Sequence, residues 1–196
     1  MRGLIRAVFF YDFSSPACYL AAERVNSTLP TVPIWQPIRL AALGGDADDA
    51  EPGRSSPPST AELAGLERRA AAQGLPPLRL PEPWPGELGA ALRAAAFAQA
   101  CGRIVAFSLA ALRQAFAGGR DLSDIDNVLI AAAACELHPR AVLKGIESRA
   151  TEERLRAASE EASALGVRHL PAIVVGSRVL EGPTAPETAA SALSTA

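Results

Sequence analysis

The apolar run Val8-Phe9-Phe10-Tyr11-Asp12-Phe13 breaks at Ser14-Ser15-Pro16 and gives way to a helix-forming stretch, Cys18-Tyr19-Leu20-Ala21-Ala22-Glu23-Arg24-Val25. Passing so abruptly from β-favouring residues through a proline fixes a strand-to-helix corner. Proline is tolerated at the first helical position, where its missing N–H has no partner to lose. Ser15-Pro16-Ala17-Cys18 has the spacing of a C-P-x-C redox pair with serine in the first place. Far downstream, Val167-Arg168-His169-Leu170-Pro171-Ala172-Ile173-Val174-Val175-Gly176 sets a second proline immediately before a β-favouring run. The two stretches read as halves of one sulfur-handling site that lacks its own attacking thiol.

A chain of 196 residues fits one domain, or one domain carrying a large insertion. A net charge of -2 with no basic stretch speaks against general nucleic-acid binding. No apolar run reaches the roughly 20 residues a membrane span needs, so no membrane partner is expected. Leu4–Phe13 reads as a first strand rather than a signal peptide, since no small-residue cleavage site follows it. Cys18, Cys101 and Cys135 are odd in number and leave at least one free thiol. Their spacing fits neither a zinc site nor a secreted disulfide framework, so a cytoplasmic location is expected. His138 and His169 lie too far apart to propose a metal site.

The remaining punctuation sets the order of elements. A helix runs from the corner to about Asn26, and Thr31–Ile38 reads as a strand whose prolines suggest a sheet edge. Residues 44–58, rich in Gly, Asp, Pro and Ser, read as a mobile loop. Helix is predicted from Thr60 to Gln73, and again from Glu87 to Phe116 with a possible bend at Cys101-Gly102. Ser123 and Asp126 resemble a capping box for a helix over 124–136. Pro139 opens another helix reaching about Leu165. Ala172–Val175 and Arg178–Leu180 form a hairpin about Gly176-Ser177, and Pro186–Leu193 closes with a helix. This is the pattern of an α/β thioredoxin-like fold with a large all-helical insertion. Residues 1–43 and 164–196 would form its core, and 59–163 the insertion domain.

Ser15 falls where first-turn N–H groups are unpaired and the helix dipole is positive. A thiolate there would be stabilised; a serine hydroxyl does not ionise usefully, but can donate a hydrogen bond to a sulfur brought by a ligand. The competing reading is that Ser15 only caps the helix. Cys18, at the resolving position, could form a mixed disulfide or be a small buried hydrophobe. Leu170-Pro171 is a candidate cis peptide that would turn the backbone of Leu170 toward an extended ligand. A trans proline opening an edge strand is the alternative. His169 could serve as a base or an anion contact, or be merely solvated. Cys101 and Cys135, in alanine-rich helices, read as packing residues.

Phe10-Tyr11-Asp12-Phe13-Ser14-Ser15-Pro16-Ala17-Cys18-Tyr19-Leu20-Ala21 resembles the first motif of 2-hydroxychromene-2-carboxylate isomerases and kappa-class glutathione transferases, which are DsbA-like thioredoxin folds. The likeness continues through Leu92-Arg93-Ala94-Ala95, Gly119-Arg120-Asp121-Leu122-Ser123-Asp124 and Leu170-Pro171, so it spans nearly the whole chain. The resemblance implies that Ser15 holds the sulfur of glutathione, or of another low-molecular-weight thiol, and that Leu170 and Pro171 meet its backbone. It further implies that the thiolate adds to a hydrophobic or aromatic small molecule, allows rotation about a carbon–carbon bond, and leaves without redox change. Relatives are often homodimers. The chain departs from the family pattern at several places. Glu181-Gly182-Pro183-Thr184-Ala185 stands where an Asp-Arg pair is common, Ser59-Thr60-Ala61-Glu62 lacks a usual lysine, Gly86 replaces an asparagine and His169 a glycine. Two other functions are compatible with the text: a thiol–disulfide oxidoreductase using Cys18 alone, and a non-catalytic thioredoxin-like binding module.

Overall fold

Side chains alternate across four short strands, and that alternation decides what must cover the sheet. In β1 (Val8–Tyr11), Phe9 and Tyr11 enter one apolar cluster, while Phe10 enters a second with Val8 packed against it. The computed structural model describes residues 6–43, 56–82, 84 and 87–194. From the corner, α1 (Pro16–Thr28) leads to β2 (Ile34–Pro37) and a single 3-10 turn at Leu40–Leu43. Six helices follow: α2 (Thr60–Ala72), α3 (Gly89–Ala100), α4 (Ile104–Phe116), α5 (Ile125–Ala133), α6 (Pro139–Ile146) and α7 (Arg149–Ala164). The chain then forms the β3 (Ala172–Val175) and β4 (Arg178–Glu181) hairpin and ends in α8 (Ala185–Ser194).

The sheet order is β2-β1-β3-β4. β1 runs parallel to β2, with Phe9 opposite Trp35, and antiparallel to β3, with Phe9 opposite Ile173. β2 therefore lies at an edge, where Pro37 costs no ladder bond inside the sheet. This is a mixed thioredoxin-type sheet with eight helices among the described residues. One face packs on α1, α3 and α4 through Phe9, Tyr11, Trp35, Ile173 and Val175. The opposite face is closed by α7 and the 3-10 turn through Phe10, Ile38, Leu43, Ala158, Ala162 and Val174. Tyr11, buried on the α4 side, keeps its hydroxyl satisfied by a 2.5 Å contact with Ser108.

Three expected elements differ in detail. The helix expected over 87–116 is two helices: Gly102 adopts φ +69°, and Arg103 N–H donates back to the Ala98 carbonyl, which closes α3 before α4 begins. The helix expected from Pro139 to Leu165 divides at extended Ser148, because α6 packs along α3 while α7 turns to cover the sheet. Gly145 makes the first of these contacts possible, since a Cβ there would collide with the Phe97 ring. The cap of α5 is Asp124, whose carboxylate accepts from Asp126 N–H; Ser123 instead donates to Asp121. The loop reading for residues 44–58 lies outside the described residues except for Ser56–Pro58, as do Leu4 and Gly86. Among the described residues, no helix is long and apolar enough to cross a membrane.

Candidate functional site

Ser15 is the N-cap of α1, extended at φ −117° and ψ 118°, with Pro16 in the first turn behind it. Its carbonyl accepts from Cys18 N–H at 3.0 Å, so the backbone begins the helix without help from the side chain. The hydroxyl makes no capping bond and lines a cleft of about 560 Å³. Capping therefore does not account for this serine. The size suits a small organic ligand.

The corner is held from below by Asp12. Its buried carboxylate accepts from Ser14 N–H at 2.8 Å and from Leu40 N–H at 3.0 Å, joining the end of β1 to the 3-10 turn after β2. Burial raises the Asp12 carboxyl above its ordinary range, opposed by those backbone donors. Ser14 and Leu40 both line the cleft, so Asp12 sets the spacing of two of its walls.

Leu170 lines the same cleft, and the Leu170–Pro171 peptide is cis. Folding thus brings together two stretches far apart in the chain, because β3 pairs with β1 directly behind the corner. Pro171 itself is buried behind Leu170, with its carbonyl accepting from Gly182 N–H at 2.8 Å. The expected role of His169 is not supported. It is exposed and absent from the cleft wall, and its N–H, with that of Arg168, donates to Glu181 Oε1. Glu181, at the end of β4, is thereby a turn clamp.

Cys18 carries two readings from the sequence, a thiol for a mixed disulfide and a small buried residue. It is 0 % exposed, one turn inside α1, and burial pushes its thiol up to about 12. Hydrogen bonds from the Asp12 backbone and the Ser15 side chain oppose that rise, and the Asp12 charge adds to it. A thiol so placed is neither accessible nor ionised near neutrality, so it packs rather than attacks. Cys135 is buried and Cys101 exposed, both away from the cleft.

The sequence predicts the helical insertion and the 44–58 loop as the substrate wall but singles out none of the residues that line the cleft there. That side of the cleft is built by α2, through Glu62, Gly65, Leu66 and Arg69, together with Pro57 and Pro58. The signal was present as one helical stripe at i, i+3, i+4 and i+7, but nothing in it named a partner for that face. Glu62 is occupied by a capping box, accepting from Ser59 N–H at 2.8 Å and Ser59 Oγ–H at 2.6 Å. Among the described residues, no group of three or more His, Cys, Asp or Glu side chains could hold a metal ion.

The model of the DsbA-like thioredoxin domain matches residues 6–194. The chain belongs to that family. No curated protein matches the sequence. Among solved structures, this DsbA-like chain is similar to a 2-hydroxychromene-2-carboxylate isomerase at TM-score 0.80 and 18% identity, covering 97% of this chain and 95% of the other. It is also similar to a probable DsbA oxidoreductase from Streptomyces coelicolor, at TM-score 0.77 and 23% identity, with 97% and 89% covered. A third is the DsbA disulfide interchange protein of Klebsiella pneumoniae, at TM-score 0.57 and 12% identity, with 100% and 89% covered. At such identities the likeness is one of fold. DsbA-like proteins thus include both isomerases and oxidoreductases, and the site must discriminate between them.

Proposed function

We propose that this DsbA-like protein is an enzyme using a small thiol, glutathione or a relative of it, to isomerise or transfer onto a hydrophobic or aromatic small molecule. One observation carries the reading. The residue at the corner is a serine that makes no side-chain cap to its helix and lines a cleft shared with Leu170. Ser15 would donate a hydrogen bond to the sulfur, and the positive end of α1 would favour its anionic form. Leu170 would border the rest of the thiol, while Leu40, Leu66 and the prolines give the second reactant an apolar surface. The thiol supplies the nucleophile, so no protein cysteine is required. The alternative of a Cys18 oxidoreductase is opposed by the complete burial of that thiol.

Calorimetric titration with glutathione tests the first step. Ser15→Ala should weaken binding about 10-fold, the worth of a hydrogen bond to an ionised sulfur. Conversion of 2-hydroxychromene-2-carboxylate in the presence of glutathione, followed by absorbance, tests the second, and Ser15→Ala should abolish it. Equal affinity and rate in wild type and variant would remove Ser15 from the reaction. Insulin reduction should proceed at the same background rate with wild type and Cys18→Ser, which dismisses the oxidoreductase alternative; a wild-type rate lost in the variant would support it.

A further inference from the structure

The stretch Arg168-His169-Leu170 brings one wall residue, Leu170, to the cleft. Both of its ends are fixed. Val167 is fully buried and its N–H donates to the Ala162 carbonyl at 3.0 Å, while the Pro171 carbonyl accepts from Gly182 N–H at 2.8 Å. Between these points Arg168 and His169 are exposed. Among the described residues, their only backbone hydrogen bonds run to Glu181 Oε1, from Arg168 N–H at 2.6 Å and His169 N–H at 2.9 Å. Bonds to an ionised oxygen are the stronger kind, and two from successive N–H groups to one atom hold the peptide between them in one orientation. The Leu170 N–H and C=O, next in the chain, make no hydrogen bond among the described residues. Glu181 is not needed to make the strand that carries it. Glutamate is depleted in strands, and this one stands half-buried in β4 opposite Ala172. It does not line the cleft.

We propose that Glu181 is a positioning residue of the cleft. It orders the Arg168-His169 backbone from outside, so that Leu170 presents its N–H and C=O to the thiol ligand in a fixed direction. The assignment rests on the thiol reading of Ser15 and Leu170. It adds a residue that acts through reach and acceptor strength, not through contact with the ligand. Without the clamp, binding has to order two exposed residues that the folded protein already holds. Leu170 keeps its apolar packing against both clusters in either case, so the loss falls on ligand affinity more than on stability.

Glutathione is the probe, titrated calorimetrically into wild type, Glu181→Ala, Glu181→Asp, Glu181→Gln and Ser15→Ala, at a temperature where near-ultraviolet circular dichroism shows each folded. Amide exchange of Arg168 and His169 is followed by NMR in the same proteins. Glutamine keeps the acceptor and its reach but not the charge, whereas aspartate keeps the charge and is one methylene short. Glu181→Ala and Glu181→Asp should speed exchange at both amides and weaken glutathione about 10-fold, the scale of re-ordering a freed residue. Glu181→Gln should stay within about 3-fold of wild type, since a neutral acceptor is weaker but still in place. The reverse order, with aspartate like wild type and glutamine like alanine, would make Glu181 a charge acting at a distance and overturn the assignment. Faster exchange with unchanged affinity overturns it too, leaving a purely structural tie, as does unchanged exchange in Glu181→Ala. Failure of both Glu181→Ala and Glu181→Asp to fold would assign Glu181 to folding instead. Ser15→Ala should weaken binding with both amides still protected. If Ser15→Ala binds like wild type while the Glu181 series behaves as expected, the Ser15 reading falls and the clamp stands. Glutathione failing to bind wild type removes both.

Discussion

Three cysteines in three environments give this protein a simple thiol chemistry. Cys101 is exposed at the α3–α4 junction, whereas Cys18 and Cys135 are buried and their thiols are raised by that burial. A thiol reagent at pH 8 should therefore titrate one fast group in the native protein, absent in Cys101→Ser, and all three after denaturation. Rapid reaction of Cys18 in the native state would contradict the placement given to it. Asp12 works by the opposite logic, as a buried acid kept for its acceptors. Asp12→Ala strands the Ser14 and Leu40 N–H groups and should cost about 1–3 kcal/mol in urea denaturation. Its ionisation also has a predictable sign. The folded state holds the Asp12 proton more tightly than the unfolded chain, so this group's contribution to stability falls as pH rises from its ordinary value of 3.8 toward the folded one. Asp12→Asn should lack that decline, and the stability difference between wild type and variant, followed upward from pH 3.8, isolates it.

At the level of elements, one shared carboxylate links α7 and α3 to the segment that follows β2. Glu152, in the first turn of α7, accepts both Nη atoms of Arg39 at 2.8 Å and lies 3.5 Å from Arg93 Nη1 on α3. The Arg39 bond dominates in holding the Glu152 carboxyl below its usual 4.5. A lowered acid stabilises fully above its unfolded pKa and less as pH falls through the folded value. Glu152→Gln should thus be measurably less stable at pH 6, by at most about 1 kcal/mol given its partial exposure. The gap should close below pH 4.5 when both proteins are unfolded in urea. A gap independent of pH would mean that packing, not charge, was lost. Helix ends at this scale were only partly legible. Gly102 announced a bend, and the structure makes it a break. Gly145 and Ser148 are the residue types that mark a helix end and a helix start, but the directions of α6 and α7 depend on what each packs against.

Over the whole molecule, the segment between the two parts of the sheet supplies the cover for both faces. α3 and α4 lie on the Phe9 and Tyr11 side, and α7 on the Phe10 side. A sheet of four short strands cannot exclude water from either face alone. Replacing residues 59–163 by a short glycine-serine link should therefore leave a chain with no cooperative thermal transition by circular dichroism. A sharp melt from that chain would show that the strands and α1 are a self-sufficient unit, and that the helices are an appendage.

Local chemistry was enough for the corner, the edge strand and the closing hairpin. Each of these is set by a proline, a glycine or a two-residue period acting over a few positions, and so can be read from the chain. For Cys18 and His169 the sequence left two readings each, buried or reactive and solvated or ligand-binding, because the choice depends on which neighbours arrive from elsewhere. The same holds for the α2 wall. Glu62, Gly65, Leu66 and Arg69 are an ordinary stripe until α2 packs beside α1, and only that packing makes them the side of a cleft.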